Sequence, residues 1–151
     1  MLLLAFLIGC VAGLRAFIAP AAVSIAAALG GLSLAGSWLA FLGYRFTPWA
    51  LALIAMGELI ADQLPKTPSR KVPVQFATRI AMGALSGGGI GAATGSLAAG
   101  VAAGAVGAIA GTYGGAALRS SLARRFGRDR PAALIEDALA ILAAVWIVAS
   151  V

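Results

Sequence analysis

Residues 2–31 read LLLAFLIGCVAGLRAFIAPAAVSIAAALGG, an apolar run interrupted only by Arg15 and Pro20 and closed by a glycine pair. Such a run exceeds the ~20 apolar residues that cross a bilayer, and Gly30-Gly31 is a helix stop. Leu2 to Leu29 is therefore expected to form one transmembrane helix with a charge near its midpoint. The remaining sequence has the same character. Of 151 residues, 62% are hydrophobic and 11% charged, and the mean hydropathy is +1.01, whereas ordinary soluble domains are about 45–50% apolar. These values imply an all-α integral membrane protein, one domain over residues 1–151, and leave no room for a soluble catalytic domain.

Turn chemistry divides the chain further. The break Gly43-Tyr44-Arg45-Phe46-Thr47-Pro48 separates a short interfacial or broken helix near Ser37 to Leu42, anchored by Trp38, Tyr44 and Trp49, from a second span, Pro48 to Leu64. Pro65, Pro68 and Pro73 impose a polar loop over Pro65 to Pro73. A third span follows from Val74 to Gly95 and a fourth from Leu97 to Leu122, with a re-entrant pair of half-helices as the alternative around Gly95-Ser96. Asp129-Arg130-Pro131 suits a helix start and opens a fifth span reaching the C-terminus. The expected fold is about five transmembrane helices.

The net charge of +6, eleven Lys and Arg against five Asp and Glu, marks membrane sidedness rather than nucleic-acid binding. Lys66, Arg70 and Lys71 lie in one loop, and Arg119, Arg124, Arg125, Arg128 and Arg130 surround another. Five crossings put both loops inside, with the N-terminus in and the C-terminus out. Lys66, Arg70, Lys71, Arg124 and Arg125 are the candidate contacts to lipid headgroups. The chain has no His and one Cys, so no metal set, no cofactor and no internal disulfide is expected. Leu7-Ile8-Gly9-Cys10 resembles a lipoprotein processing site. No Lys or Arg precedes it and the apolar run continues beyond it, so Cys10 is expected within the first span.

Glycine recurs every four residues at Gly83, Gly87, Gly91 and Gly95, and again at Gly107, Gly111 and Gly115, with Gly100 and Gly104 on an adjoining row. Residues four apart share a helix face, and side-chain-free stripes let transmembrane backbones approach. A glycine zipper between the third and fourth spans, or between copies in a homo-oligomer, is expected, with a glycine-lined path for a solute or a lipid chain as the alternative.

An ionisable group at a transmembrane helix centre costs ~2.5–3.5 kcal/mol on insertion scales and points to function. Arg15 is one. With straight helices it stands roughly 20 Å above the cytoplasmic end of its span, Glu58 about 9 Å up, and Arg79, Glu136 and Asp137 roughly 8 Å up. Arg15 and Glu58 lean toward each other, and Asp62 lies one turn below Glu58. Arg15, Glu58, Asp62, Arg79, Glu136 and Asp137 are thus expected in one polar layer, a site for a small solute, a proton or a cation. Glu136 and Asp137 suit the start of their helix, whereas Glu58 and Asp62 end theirs, where the dipole disfavours negative charge. Leu59-Ile60-Ala61-Asp62 is similar to Leu134-Ile135-Glu136-Asp137, as in an inverted repeat.

Gly13-Leu14-Arg15-Ala16-Phe17 with Ala19-Pro20, the block GELIADQLPKTPSR from Gly57 to Arg70, and LIEDALAI from Leu134 together resemble the small bacterial membrane proteins catalogued as DUF (domain of unknown function) 4126. The resemblance covers most of the chain and implies a multi-span membrane protein. It supplies no substrate and no catalytic residue.

A small transporter or channel-like protein is the first functional expectation. A non-transporting lipid-binding or membrane-assembly protein with a structural charged cluster is the alternative. An intramembrane enzyme with Glu58 or Asp62 as general base is the weakest reading, because a Ser-His constellation and a metal set are missing; the chain is expected not to be an enzyme.

Overall fold

A computed structural model of the chain describes residues 1–63 and 72–151. The protein is all-helical, 82% helix, with no strand among the described residues. Six α-helices follow in order: α1 (Leu2–Leu14), α2 (Ile18–Ala28), α3 (Thr47–Ala61), α4 (Pro73–Ala93), α5 (Leu97–Phe126) and α6 (Asp129–Ala149), with a 3-10 helix, Trp38–Gly43, between α2 and α3. Two of them, α5 and α6, are long and apolar enough to cross a membrane.

The run 2–29 is not one helix. Arg15 leaves helical geometry at φ −140° and ψ 114°, and α2 begins three residues later. Pro20 is the physical cause. It has no N–H, and in a continuous helix its ring would strike the carbonyl of Ala16, whereas in the first turn of a new helix neither matters. The chain therefore restarts its helix just before the proline.

Helix directions follow from glycine contacts. Gly9 lies on Gly104 and Gly13 on Ala108 to Thr112, while Gly107 and Gly111 face Phe6 and Cys10, so α1 runs parallel to α5. Helix α4 is antiparallel to α5, because Gly83 meets Gly104 and Ala108 and Gly91 meets Ser96 and Gly100. Arg79 reaches Gly13 and Leu14, and ten residues on Gly89 meets Val23, so α2 runs with α4. Helices α1 and α2 thus form a hairpin that turns at Arg15-Ala16-Phe17, with α1 packed chiefly on α4 and α5, and α2 on α3, α4 and α6.

The start of α1 consequently lies at the end of the bundle opposite the α5–α6 turn. A straight first span would have placed it beside that turn. The expectation failed because hydrophobicity is the same for a crossing and for a hairpin.

Helices α4 and α5 approach to backbone contact: a Cβ on Gly87 would stand 2.7 Å from Gly104 Cα, and one on Gly91 2.8 Å from Gly100 Cα. Gly107 and Gly111 face α1 rather than α4, and Gly115 is buried on the same side of α5. Gly95 is not a packing residue. It has φ +76° with open space where a Cβ would be, and it turns α4 into α5. Gly95→Ala is expected to cost ~1–2 kcal/mol through the left-handed backbone alone, read as a lowered midpoint of thermal unfolding in detergent.

Large apolar side chains face outward, while several ionisable ones are enclosed with the apolar core. Leu53, Val74, Leu134, Leu142 and Trp146 are exposed, while Arg15, Arg79 and Glu136 are buried. The 3-10 helix inserts Leu39 and Leu42 into the core, and Ser24 Oγ donates to the Leu42 carbonyl. Trp38, Tyr44, Phe46 and Trp49 remain exposed around it.

Candidate functional site

The turn between α1 and α2 leaves backbone groups without helical partners in the middle of the bundle. Such groups must be satisfied by protein where water is absent. Two oppositely charged side chains do this. Arg79 of α4 donates from Nη1 to the carbonyls of Gly13 and Leu14, each at 2.7 Å, at the end of α1. Glu58 of α3 accepts from the Ala16 N–H at 2.8 Å and the Phe17 N–H at 3.0 Å, at the start of α2. Each charge sits at the helix end whose dipole favours it, cation at the C-terminus and anion at the N-terminus. The two side chains also face each other, with Arg79 Nη2 3.7 Å from Glu58 Oε1.

Arg15 points away from this pair. Its side chain is 0% exposed and lies between α3 and α6: Nη1 pairs with Asp62 Oδ2, Nε donates to Asp137 Oδ1 at 2.5 Å, and Nη2 is 4.0 Å from Glu136 Oε2. Gln63 Nε2 adds a contact to Asp137 at 3.4 Å. The expected Arg15–Glu58 pairing is not what forms. Its depth arithmetic assumed a continuous helix, whereas the extended backbone at Arg15 turns the side chain toward α6 and gives Glu58 the next two amides.

Arg119 of α5 completes the layer. Nη1 bonds Asp62 Oδ2 at 2.6 Å and lies 3.8 Å from Glu136, while Nε and Nη2 grip both oxygens of Asp129 at 2.9 and 2.5 Å. All six expected site residues thus lie in one region, joined by two that were not nominated, Arg119 and Asp129. The chain's five acidic residues, Glu58, Asp62, Asp129, Glu136 and Asp137, are all in this layer. A signal for Arg119 was present: it extends the row Gly107, Gly111, Gly115 by one more step of four, and so lies on the inward face of α5. Arg79 continues the row of Gly83, Gly87 and Gly91 in the same way.

Lys66, Arg70 and Lys71 lie outside the described residues. Arg124 and Arg125 are exposed in the last turn of α5, where cations complement the helix dipole. Among the described residues no group of His, Cys, Asp or Glu is arranged to hold a metal ion.

Next to the turn is a pocket of about 520 Å³ between α3 and α4, bounded by Ala16, Phe17, Gly57, Glu58, Gln75 and Thr78. Glu58 is 18% exposed, so its carboxylate touches the pocket while both oxygens hold the α2 amides. Arg15 is sealed and Glu58 is accessible. Of the charged groups in the layer, Glu58 is the one that borders this pocket, while Asp129, at the start of α6, is the most exposed, at 63%. The chain matches no family profile, no curated protein and no solved structure.

Proposed function

We propose that the protein is a small multi-pass transporter or channel-like protein of a bacterial cytoplasmic membrane, and that the pocket at Glu58 is where a small solute, a proton or a cation enters the polar layer. The observation that carries this reading is the broken helix α1–α2, whose freed ends are held by the Arg79–Glu58 pair beside an accessible pocket. Irregular backbone at membrane depth is tolerated where it is buried in protein or lines a cavity, and half-helix ends in transporters mark binding sites. In this placement α3, α4, α5 and α6 cross the bilayer, and the basic α5–α6 turn faces the cytoplasm. The α1–α2 hairpin enters from the other side and turns inside, because α1 spans only about 20 Å at 1.5 Å per residue. The resemblance to the family of unknown function belongs to the same reading and names no substrate.

Glu58 supplies a mechanism. As a carboxylate it accepts from two amides at once; once protonated, one oxygen becomes a donor and the grip on α2 weakens. Protonation from the pocket would thus loosen the apex of the hairpin, coupling a proton to a movement of α2 against α3.

The test uses the full chain in proteoliposomes containing a pH-sensitive dye, with proton flux driven by a potassium diffusion potential. Glu58→Gln, which keeps the shape but cannot take up and return a proton, is expected to lower the flux at least about tenfold, a barrier change of ~1.4 kcal/mol. Arg124→Gln, exposed at the helix end, is expected to leave it unchanged. Equal flux in Glu58→Gln and the unaltered protein would sink the proposal. The sealing of Arg15 among Asp62, Glu136 and Asp137 favours one second reading, a membrane-assembly protein with a purely structural network. That reading expects no flux above empty liposomes in either variant.

A further inference from the structure

The polar layer holds every acid in the chain, and one cation lies at the opposite end of the bundle from both that layer and the basic α5–α6 turn. Arg45 precedes α3, at the end of the bundle away from the charged layer, and is the only Lys or Arg there among the described residues. It borders a pocket of about 320 Å³ whose walls include Ile25, Leu29, Pro48, Trp49 and Ala52. Ile25, Leu29 and Ala52 also belong to a larger apolar groove of about 510 Å³, which follows α2 from Leu29 back to Ile18 between α3 and α6. Pocket and groove therefore adjoin along these three residues, and together form a depression with a cation at one end and apolar walls along its length.

We propose that this depression is a binding site for a phospholipid with an anionic headgroup, the phosphate at Arg45 and one acyl chain along α2. The groove is concave because small residues, Ala22, Ala26, Ala52 and Ala144 among them, line it where larger side chains would fill it. Its length matches a chain: the 11 residues of α2 run about 16 Å.

At the mouth three features favour a phosphate. The Arg45 guanidinium is held over the Phe46 ring, 5.7 Å from its centroid, which fixes a charge otherwise on a free side chain. Pro48 and Trp49, in the first turn of α3, bring the positive end of that helix to the same pocket. Exposed Trp38, Tyr44 and Trp49 mark headgroup depth, where such rings sit. The site rests on the membrane placement given above and not on transport. It is distinct from the basic residues of the α5–α6 turn, which lie at the other end.

The experiment uses the full chain purified in mild detergent, delipidated, and then incubated with micelles of phosphatidylglycerol or phosphatidylcholine. Retained lipid is counted by native mass spectrometry. The unaltered protein is expected to keep one phosphatidylglycerol per chain with about fivefold preference over phosphatidylcholine, the worth of one cation near a headgroup. Arg45→Gln, on an exposed side chain, is expected to remove the preference, and Ala22→Phe to reduce retention of both lipids by filling the groove. Equal retention of the two lipids by the unaltered protein would overturn the proposal, as would unchanged phosphatidylglycerol retention in both variants. Loss of the preference on neutralising Arg124 and Arg125 instead would also overturn it, by moving the headgroup to the other end. Loss of proton flux in Glu58→Gln has no bearing on this result, so the two readings fail separately.

Discussion

Arg15→Ala is expected to leave little folded protein. The guanidinium is fully enclosed and meets Asp62, Asp137 and Glu136. Removing it strands carboxylates in a region where water cannot replace it. Breaking a buried ion pair by deleting one partner costs ~3–5 kcal/mol, a large share of the ~5–15 kcal/mol that holds a typical domain together. The readout is the fraction of monodisperse protein after detergent extraction, with the thermal midpoint of whatever remains.

Two further variants separate charge from packing. Arg15→Lys keeps the charge, but a single ammonium cannot take the forked position between α3 and α6, and recovery should be partial. Arg15→Met combined with Asp62→Asn and Asp137→Asn removes the charges together. Replacing a whole buried ionic network by neutral groups of similar volume is often close to neutral. Arg119 would then face Asp129 and Glu136 alone, which the network still supplies. This triple variant should therefore be clearly more stable than Arg15→Ala. If it is equally unstable, uncompensated charge is not the reason that Arg15 matters.

The sequence made the polar layer legible because ionisable groups are scarce in an apolar chain and each must find a partner. Arg15, Glu58, Asp62, Arg79, Glu136 and Asp137 all fall in that layer. The partners within it were not legible, since pairing depends on backbone direction, and direction was misjudged at Arg15. Pro20 carried the missing information, because a proline three residues into a helix is harmless only if the helix has just begun.

The glycines held more than packing. On α4 the row of Gly83, Gly87 and Gly91 ends toward the charged layer in Arg79, and on α5 the row of Gly107, Gly111 and Gly115 ends in Arg119. A face with no side chains must lie against another backbone, so an arginine continuing that face is carried inward. Treating Arg119 as a loop cation missed this, because its nearness to Arg124 and Arg125 in sequence outweighed its helical register.

Gly104→Val is expected to produce the other large loss, and it links packing to the site. Gly104 lies where three helices meet. A Cβ there would stand 2.9 Å from Gly87 Cα and from Gly83 C on α4, and a Cβ on Gly9 of α1 would in turn stand 2.8 Å from Gly104 Cα. These neighbours are backbone atoms and cannot rotate away, so the helices themselves must separate. Overpacking a core costs ~1–3 kcal/mol and more where backbone must shift, and the upper part of that range is expected here because the atoms met on α4 are all helix backbone.

Helix propensity works in the opposite direction, since glycine is the poorer helix former by several tenths of a kcal/mol, on the order of 0.5 relative to valine. Gly114→Val is the control, because a Cβ at Gly114 meets nothing within 4 Å; its thermal midpoint should hold or rise while that of Gly104→Val falls. The same displacement reaches the charged layer. Gly83 and Arg79 share a face of α4, so pushing α4 off α5 and α1 draws Arg79 away from the Gly13 and Leu14 carbonyls that it holds at 2.7 Å. Whatever folded Gly104→Val protein survives should therefore show faster amide hydrogen exchange at Ala16 and Phe17 than the unaltered chain, although neither residue touches the substitution. Unchanged exchange there, alongside a lowered midpoint, would mean that the hairpin is held by the charged layer alone and that the glycine contacts stabilise the bundle without positioning its site.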